Sequence, residues 1–172
     1  MRDVGSVVFG TETIGRRVAE LGREIAGHYG SGELLVLGLL KGSFIFLSDL
    51  VRAIPRPCRI DFIGASSYGT QKVSSGQVRL WYDPETSLEG RHVLLVEDIV
   101  ESGRTLNHVV RLMRVRRPLS LEVCAFLHKR VAAQLEIEPR FVGFDAPNEF
   151  LVGYGLDHAE NFRHLPYVAS LK

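Results

Sequence analysis

Glu97 and Asp98 stand side by side at the end of an apolar run, Val93-Leu94-Leu95-Val96. After them come Ile99-Val100-Glu101-Ser102-Gly103-Arg104-Thr105-Leu106. In an α/β chain this order reads as a strand that delivers a short loop to the start of a helix. Unpaired backbone N–H groups and the helix dipole make such a loop a good phosphate site. Gly103 lets the backbone approach an anion closely, while Ser102 and Thr105 add hydroxyl donors. Glu97 and Asp98 are placed to accept hydrogen bonds from vicinal sugar hydroxyls or to hold a metal-bound ligand. A phosphate cradle beside an acidic pair suggests a sugar phosphate. By residue type alone the same stretch is also a strand-to-helix turn with a capping acid. The doubled acid followed by Glu-Ser-Gly-Arg-Thr favours the functional reading.

Four other places carry weaker chemistry. Leu40-Lys41-Gly42-Ser43 offers a lysine and loop amides to a second phosphate, although a solvated lysine in an ordinary loop has the same pattern. Lys129 follows an apolar run and could donate to a ligand carbonyl, or Lys129-Arg130 could be exposed loop charges. Phe150 could stack on a flat ring, a contact worth roughly 0.5–1.5 kcal/mol beyond area burial; a lone phenylalanine is more often core. Asp157, after Gly153-Tyr154-Gly155-Leu156, could ligate a divalent ion or simply form a turn. The six histidines show no metal spacing. Arg111, Arg114, Arg116 and Arg117 crowd one helix end, where cations complement the dipole, and read as a solvated face rather than an RNA platform.

The elements that must position these groups follow from periodicity. Ile14, Val18, Leu21 and Ile25 form one helical face within a helix predicted over Thr11 to Tyr29, capped by Thr11 and ended by Gly30. Leu34 to Leu40 is continuous in apolar character, as buried parallel strands are. Phe44 to Ile54 resumes a helical pattern until Pro55. Arg59 to Ser66 and Val78 to Asp83 read as strands, with a loop rich in Ser, Gly, Thr and Lys between them that is expected to be mobile. A helix from about Thr105 to Arg116 follows the acidic pair, and Leu121 to Leu127 and Phe141 to Phe144 are further short strands. Alternating strands and helices imply a parallel sheet with helices on both faces. Ligands then sit beyond the strands' carboxyl ends, where Lys41, Glu97, Asp98 and Lys129 all fall.

The chain has 172 residues and divides nowhere, which fits one domain. A net charge of +1 argues against general nucleic-acid or membrane-surface binding. Cys58 and Cys124 lack ligand spacing and read as buried thiols of a reducing cytoplasm. No apolar run reaches membrane-spanning length, and the N-terminus has no signal-like region.

Taken in order, these segments resemble a known family. Val93 to Leu106 resembles the phosphoribosyl-pyrophosphate motif of type I phosphoribosyltransferases, and the resemblance to the hypoxanthine-guanine phosphoribosyltransferases runs through nearly the whole chain. Leu39 to Phe44 is similar to their pyrophosphate loop, and Asp61-Phe62 with Ala65 to Gly69 to the start of their lid. Phe141 to Phe144, Phe150 to Asp157 and Phe162 to Pro166 are similar to their purine-binding tail.

The resemblance implies a type I phosphoribosyltransferase fold: a mainly parallel sheet flanked by helices, a small hood built from the terminal segments, and a flexible lid near 67–77 that includes Ser67 and Tyr68. The purine-binding tail would span about 145–166 of the single domain 1–172. The implied reaction moves phosphoribosyl from phosphoribosyl pyrophosphate to N9 of a 6-oxopurine. Glu97 and Asp98 would hold the ribose hydroxyls, and Glu101, Ser102, Gly103, Arg104 and Thr105 would surround the 5′-phosphate. Lys41, Gly42 and Arg163 would neutralise pyrophosphate. Lys129 would read O6, Phe150 would stack on the purine, Leu151 would bond it through its backbone, and Asp157 would help bind Mg²⁺ along with Glu97 and Asp98. A homodimer or homotetramer is implied.

The chain departs from the family at Glu101, where aspartate is usual for the general acid/base. It departs again at Val131-Ala132-Ala133, where an arginine is common, and at Trp81-Tyr82, where a lysine-containing segment is usual. A nucleotide- or RNA-binding regulator on the same fold and a xanthine-preferring enzyme are the alternative readings.

Overall fold

The structure, a computed structural model, describes residues 4–67, 78–131 and 134–172. Its elements in chain order are β1 (Val4–Phe9), α1 (Thr11–Tyr29), β2 (Leu34–Leu40), α2 (Phe44–Ala53), β3 (Arg59–Ser67) and β4 (Val78–Tyr82). They continue with β5 (His92–Val100), α3 (Arg104–Val115), β6 (Ser120–His128), β7 (Phe141–Asp145), β8 (Leu151–Val152) and β9 (Val168–Leu171).

Six strands form the main sheet in the order β4-β3-β2-β5-β6-β7. All neighbours run parallel except β4, which pairs antiparallel with β3 at one edge. Strands β2 and β5 are entirely apolar over their middles because both of their faces are covered. On one face Ile14, Val18, Leu21 and Ile25 of α1 and Phe46, Leu47 and Leu50 of α2 pack against Val36, Leu94, Val96 and Phe126. On the other, Leu106, Val109, Val110 and Met113 of α3 pack against Leu37, Leu95 and Val123. The helical face read from α1's spacing is therefore its buried face. A second, three-stranded sheet in the order β1-β9-β8 joins the two ends of the chain.

Three details differ from the sequence reading. Thr11 does not cap α1: the N-cap is Gly10, and the Thr11 hydroxyl donates to the Pro166 carbonyl at 3.0 Å, tying the helix to the tail. Strand β5 does not stop at Val96 but runs through the acidic pair to Val100, because β6 stays in register as far as Val100 opposite His128. Helix α3 starts at Arg104, one residue early, because Gly103 takes the left-handed conformation (φ 76°) that ends the loop.

Strand β2 leads to β3 on one side, while its other neighbour, β5, leads to β6 in the opposite direction. The strand order thus reverses between β2 and β5, which opens a crevice beyond their carboxyl ends. Asp61 anchors the β3 side of this frame. Its carboxylate accepts N–H bonds from Phe62 and Thr86, both at 2.7 Å, fixing the strand to the connection before β5. Burial alone would push this carboxyl up, but the amide bonds outweigh it and hold it below the ordinary range. Its contribution is therefore present above the unfolded-state value and disappears as pH falls through the lower folded-state value. Asp61→Asn is expected to lose about 1–2 kcal/mol at neutral pH. The difference from wild type, followed by urea unfolding, should shrink below about pH 4 and stay constant above it.

Candidate active site

The loop after β5 turns at Gly103 and feeds directly into α3. A cavity of about 190 Å³ opens there, lined by Glu97 and by residues 99–106. Ser102 Oγ accepts from the Arg104 amide at 3.4 Å, and the Gly103 carbonyl accepts from Asn107 at 2.8 Å, so the loop is an integral part of the helix start. The first-turn amides of a helix have no intrahelical acceptor, and the helix dipole favours an anion at this end. Such a loop at a helix start suits an anion.

Glu97 is buried and Asp98 half-buried beside it. Burial and the neighbouring Asp98 charge both push the Glu97 carboxyl well above the usual carboxylate range. Two carboxylates in this relation repel, and a divalent cation or a set of sugar hydroxyls would relieve them. Across the crevice the chain after β2 comes extremely close. A Cβ placed on Gly42 would lie 1.7 Å from Asp98 Oδ2. Gly155, at φ 98°, comes just as close from the tail: its Cβ would meet the Gly42 carbonyl oxygen at 2.3 Å. The Leu40–Lys41 peptide bond is cis, and Ser43, fully buried, donates to the Leu39 carbonyl at 2.6 Å to close the turn into α2.

Lys41 and Arg163 reach the same place from segments far apart in sequence. Lys41 Nζ donates to Glu160 at 3.0 Å. Arg163 bonds the Gly155 carbonyl at 2.7 Å and pairs with Asp157 at 2.9 Å and with Glu160 at 3.2 Å. The pyrophosphate residues expected from the resemblance are thus brought together, with Glu160 between them.

On the β6 side Lys129 is buried, its side chain only 6% exposed, and its ammonium donates to Glu101 Oε1 at 2.7 Å. Glutamate at 101, with one methylene more than aspartate, spans from the phosphate loop to this lysine. Lys129 N also donates to the Val100 carbonyl at 3.0 Å, which keeps the two strand ends together. Phe150 is half exposed, with His158 edge-on to its ring at a centroid distance of 5.3 Å. Leu151 is buried in β8, paired with Ser170 of β9.

Glu97, Asp98, Glu101, Ser102, Gly103, Arg104, Thr105, Lys41, Gly42, Lys129, Asp157 and Arg163 therefore line one rim of the molecule, the carboxyl ends of β2, β5 and β6 with the tail folded over them. Tyr68 and the rest of the expected lid, 68–77, lie outside the described residues, as does the side chain of Ser67. Two neighbours were not singled out by sequence. Glu160 had only its place between Asp157 and Arg163 as a signal, and His158 had none. Among the described residues no three His, Cys, Asp or Glu side chains gather as a ready metal cage. Glu97 with Asp98 is one oxygen pair, and Asp157 stands apart from it. Mg²⁺ commonly takes one or two carboxylates and completes its shell with water and substrate phosphates, so this donor set fits it.

The helix-end arginines are engaged elsewhere. Arg111 and Arg114 pair with Glu136 at 2.7 and 3.0 Å, Arg116 with Asp83, and Arg117 with Glu89 at 2.8 Å.

The phosphoribosyl transferase domain model matches residues 9–159. The hypoxanthine-guanine phosphoribosyltransferase of Dictyostelium discoideum is 47% identical over 170 residues, covering 96% of this chain and 94% of its own length. That of Bacillus subtilis is 42% identical, covering 99% and 94%. A crystal structure of the Staphylococcus aureus hypoxanthine phosphoribosyltransferase superposes with a TM-score of 0.93 at 39% identity, covering 99% of this chain and 92% of that one. The chain belongs to the phosphoribosyl transferase family, within its hypoxanthine-guanine branch. The mainly parallel sheet flanked by helices is the fold expected of it.

The close packing at Gly42 and Gly155 leads to a direct test. Gly42→Ala is expected to cost about 1–3 kcal/mol through overpacking, and Gly155→Ala at least as much, since its φ adds strain. Gly15→Ala, inside α1 with nothing within 4 Å of the new methyl, should instead gain up to about 1 kcal/mol. Urea unfolding of the three variants measures the contrast.

Proposed function

We propose that the chain transfers 5-phosphoribosyl from phosphoribosyl pyrophosphate to N9 of hypoxanthine or guanine, releasing pyrophosphate. The Lys129–Glu101 pair carries this reading. It presents one donor and one acceptor side by side, next to a phosphate cradle. A 6-oxopurine offers the complementary pair on one edge: O6 accepts from the ammonium, and the N7 position shares its proton with the carboxylate. Adenine has a donating 6-amino group where Lys129 also donates, so it is disfavoured.

In this reading the 5′-phosphate rests on the amides and hydroxyls of residues 102–105, and Glu97 and Asp98 hold the ribose hydroxyls. Phe150 stacks on the base, and Leu151 bonds it through the backbone. As the bond at C1 of the ribose breaks, positive charge develops on the sugar and negative charge on the departing pyrophosphate. Lys41, the amides around Gly42, and Arg163 stabilise the leaving group. Glu101 takes up the purine proton as N9 attacks, and Lys129 keeps the carboxylate oriented for it. Glu97 with Asp98, and Asp157 in the tail, would be the carboxylates available to hold Mg²⁺, which would supply positive charge to the phosphate oxygens.

We also place the protein in the cytoplasm, where its two free thiols, Cys58 and Cys124, suit a reducing environment. No helix among the described residues is long and apolar enough to cross a membrane. Exposed Ile60 and Trp81 at the β3–β4 edge offer apolar surface for a homodimer or tetramer. The helix-end arginines alternate with Glu136, Asp83 and Glu89, which makes this a mixed-charge surface rather than the unbroken basic patch that the RNA-binding alternative needs.

Incubation with Mg²⁺, phosphoribosyl pyrophosphate and each of hypoxanthine, guanine, xanthine and adenine tests the proposal. Nucleotide should form from the first two and not from adenine; product from xanthine alone would move the assignment to the xanthine-preferring reading, and none from any base would overturn it. Glu101→Gln should lower turnover by about 10²-fold or more, while Glu101→Asp should match or exceed wild type. Equal turnover in all three removes Glu101 from the chemistry.

A further inference from the structure

Glu160 stands at the tip of a tight turn, closed by paired backbone bonds between His158 and Asn161 at 3.2 and 3.1 Å. The turn is a costly one for its residues. Ala159, Glu160 and Phe162 have φ of 50°, 64° and 75°, the left-handed region that non-glycine side chains seldom adopt. The Glu160 amide donates to Asp157 at 2.8 Å, which fixes the turn from inside. This conformation places a single carboxylate between two cations from distant parts of the chain. Glu160 Oε2 accepts from Lys41 at 3.0 Å and Oε1 from Arg163 at 3.2 Å. Lys41 and Glu160 are both more than half exposed, so an incoming anion reaches them from solvent. Arg163 Nε is buried and has no hydrogen-bond partner among the described residues.

We propose that Glu160 is a positioning residue that stands in for pyrophosphate. Its two oxygens hold Lys41 and Arg163 at an anion-binding spacing, and they yield both cations when pyrophosphate or the pyrophosphoryl end of the sugar donor arrives, an inference that rests on the transferase function proposed above. A solvent-exposed glutamate is ionised at neutral pH, so the stand-in is anionic. Exposed ion pairs are individually weak, which lets a multiply charged phosphate displace this one. The internal carboxylate then lowers the net affinity for pyrophosphate and speeds its departure.

Calorimetric titration of wild type, Glu160→Gln and Glu160→Asp with inorganic pyrophosphate and Mg²⁺ reads the competition directly. Removing the charge should tighten pyrophosphate binding by about three- to tenfold and lower KM for phosphoribosyl pyrophosphate by a similar factor. KM for the purine should not change, and kcat should not rise. Glu160→Asp, which restores the charge on a shorter arm, should return affinity toward wild type. Equal or weaker pyrophosphate binding by Glu160→Gln, with wild type synthesising nucleotide, overturns the role of Glu160 alone. A wild type that neither binds pyrophosphate nor makes nucleotide overturns the transferase reading itself, and this inference with it.

Discussion

A side chain on Gly42 would collide with Asp98, and one on Gly155 would collide with the backbone of Gly42. Three segments that are remote in sequence therefore meet with no atoms to spare: the end of β5, the turn after β2 and the tail before Arg163. Their contact sets the width of the crevice and fixes where the acidic pair lies relative to Lys41 and Arg163. Phosphate-binding amides and cations act over short distances, and their value in a site depends on being held in place beforehand. Two glycines provide that here because only glycine lets backbone approach a carboxylate or another carbonyl so closely.

Around this contact the charges are arranged as partners that a ligand must separate or join. Lys129 and Glu101 satisfy one another at 2.7 Å, and Lys41 and Arg163 share Glu160. Glu97 and Asp98, in contrast, are two neighbouring acids whose charges oppose one another. The site thus combines groups already neutralised by the protein with groups whose repulsion favours binding of sugar hydroxyls or a metal. A substrate carrying phosphates, vicinal hydroxyls and a base with one donor edge and one acceptor edge answers each of them.

Much of the scaffold was readable from periodicity. The buried face of α1 follows from its helical spacing, and the apolar cores of β2 and β5, with the acidic pair at a strand's end, follow from short continuous apolar runs bounded by turn residues. Where the reading failed, a tertiary contact intervened. The residue type of Thr11 suits a cap, but its hydroxyl is drawn to Pro166 of the tail. The first polar residues suggest an end for β5 at Val96, but pairing with β6 carries the strand through them. The terminal sheet of β1, β8 and β9 left almost no local pattern, since its strands are short and become strands only by pairing with one another.

By itself the sequence determined which chemistry was present: an acidic pair, a glycine-turned loop at a helix start, a lysine after each of two strands and an aromatic in the tail. Residue type and local spacing carry that information because hydrogen-bonding capacity and backbone freedom belong to the residue. Tertiary structure alone decided which of these groups touch. That Glu101 reaches Lys129, that Glu160 bridges Lys41 and Arg163, and that Gly155 rests on Gly42 are facts about segments 28, 119 and more than a hundred positions apart. Such contacts depend on how the sheet orders its strands and where the tail folds back, which no local pattern encodes.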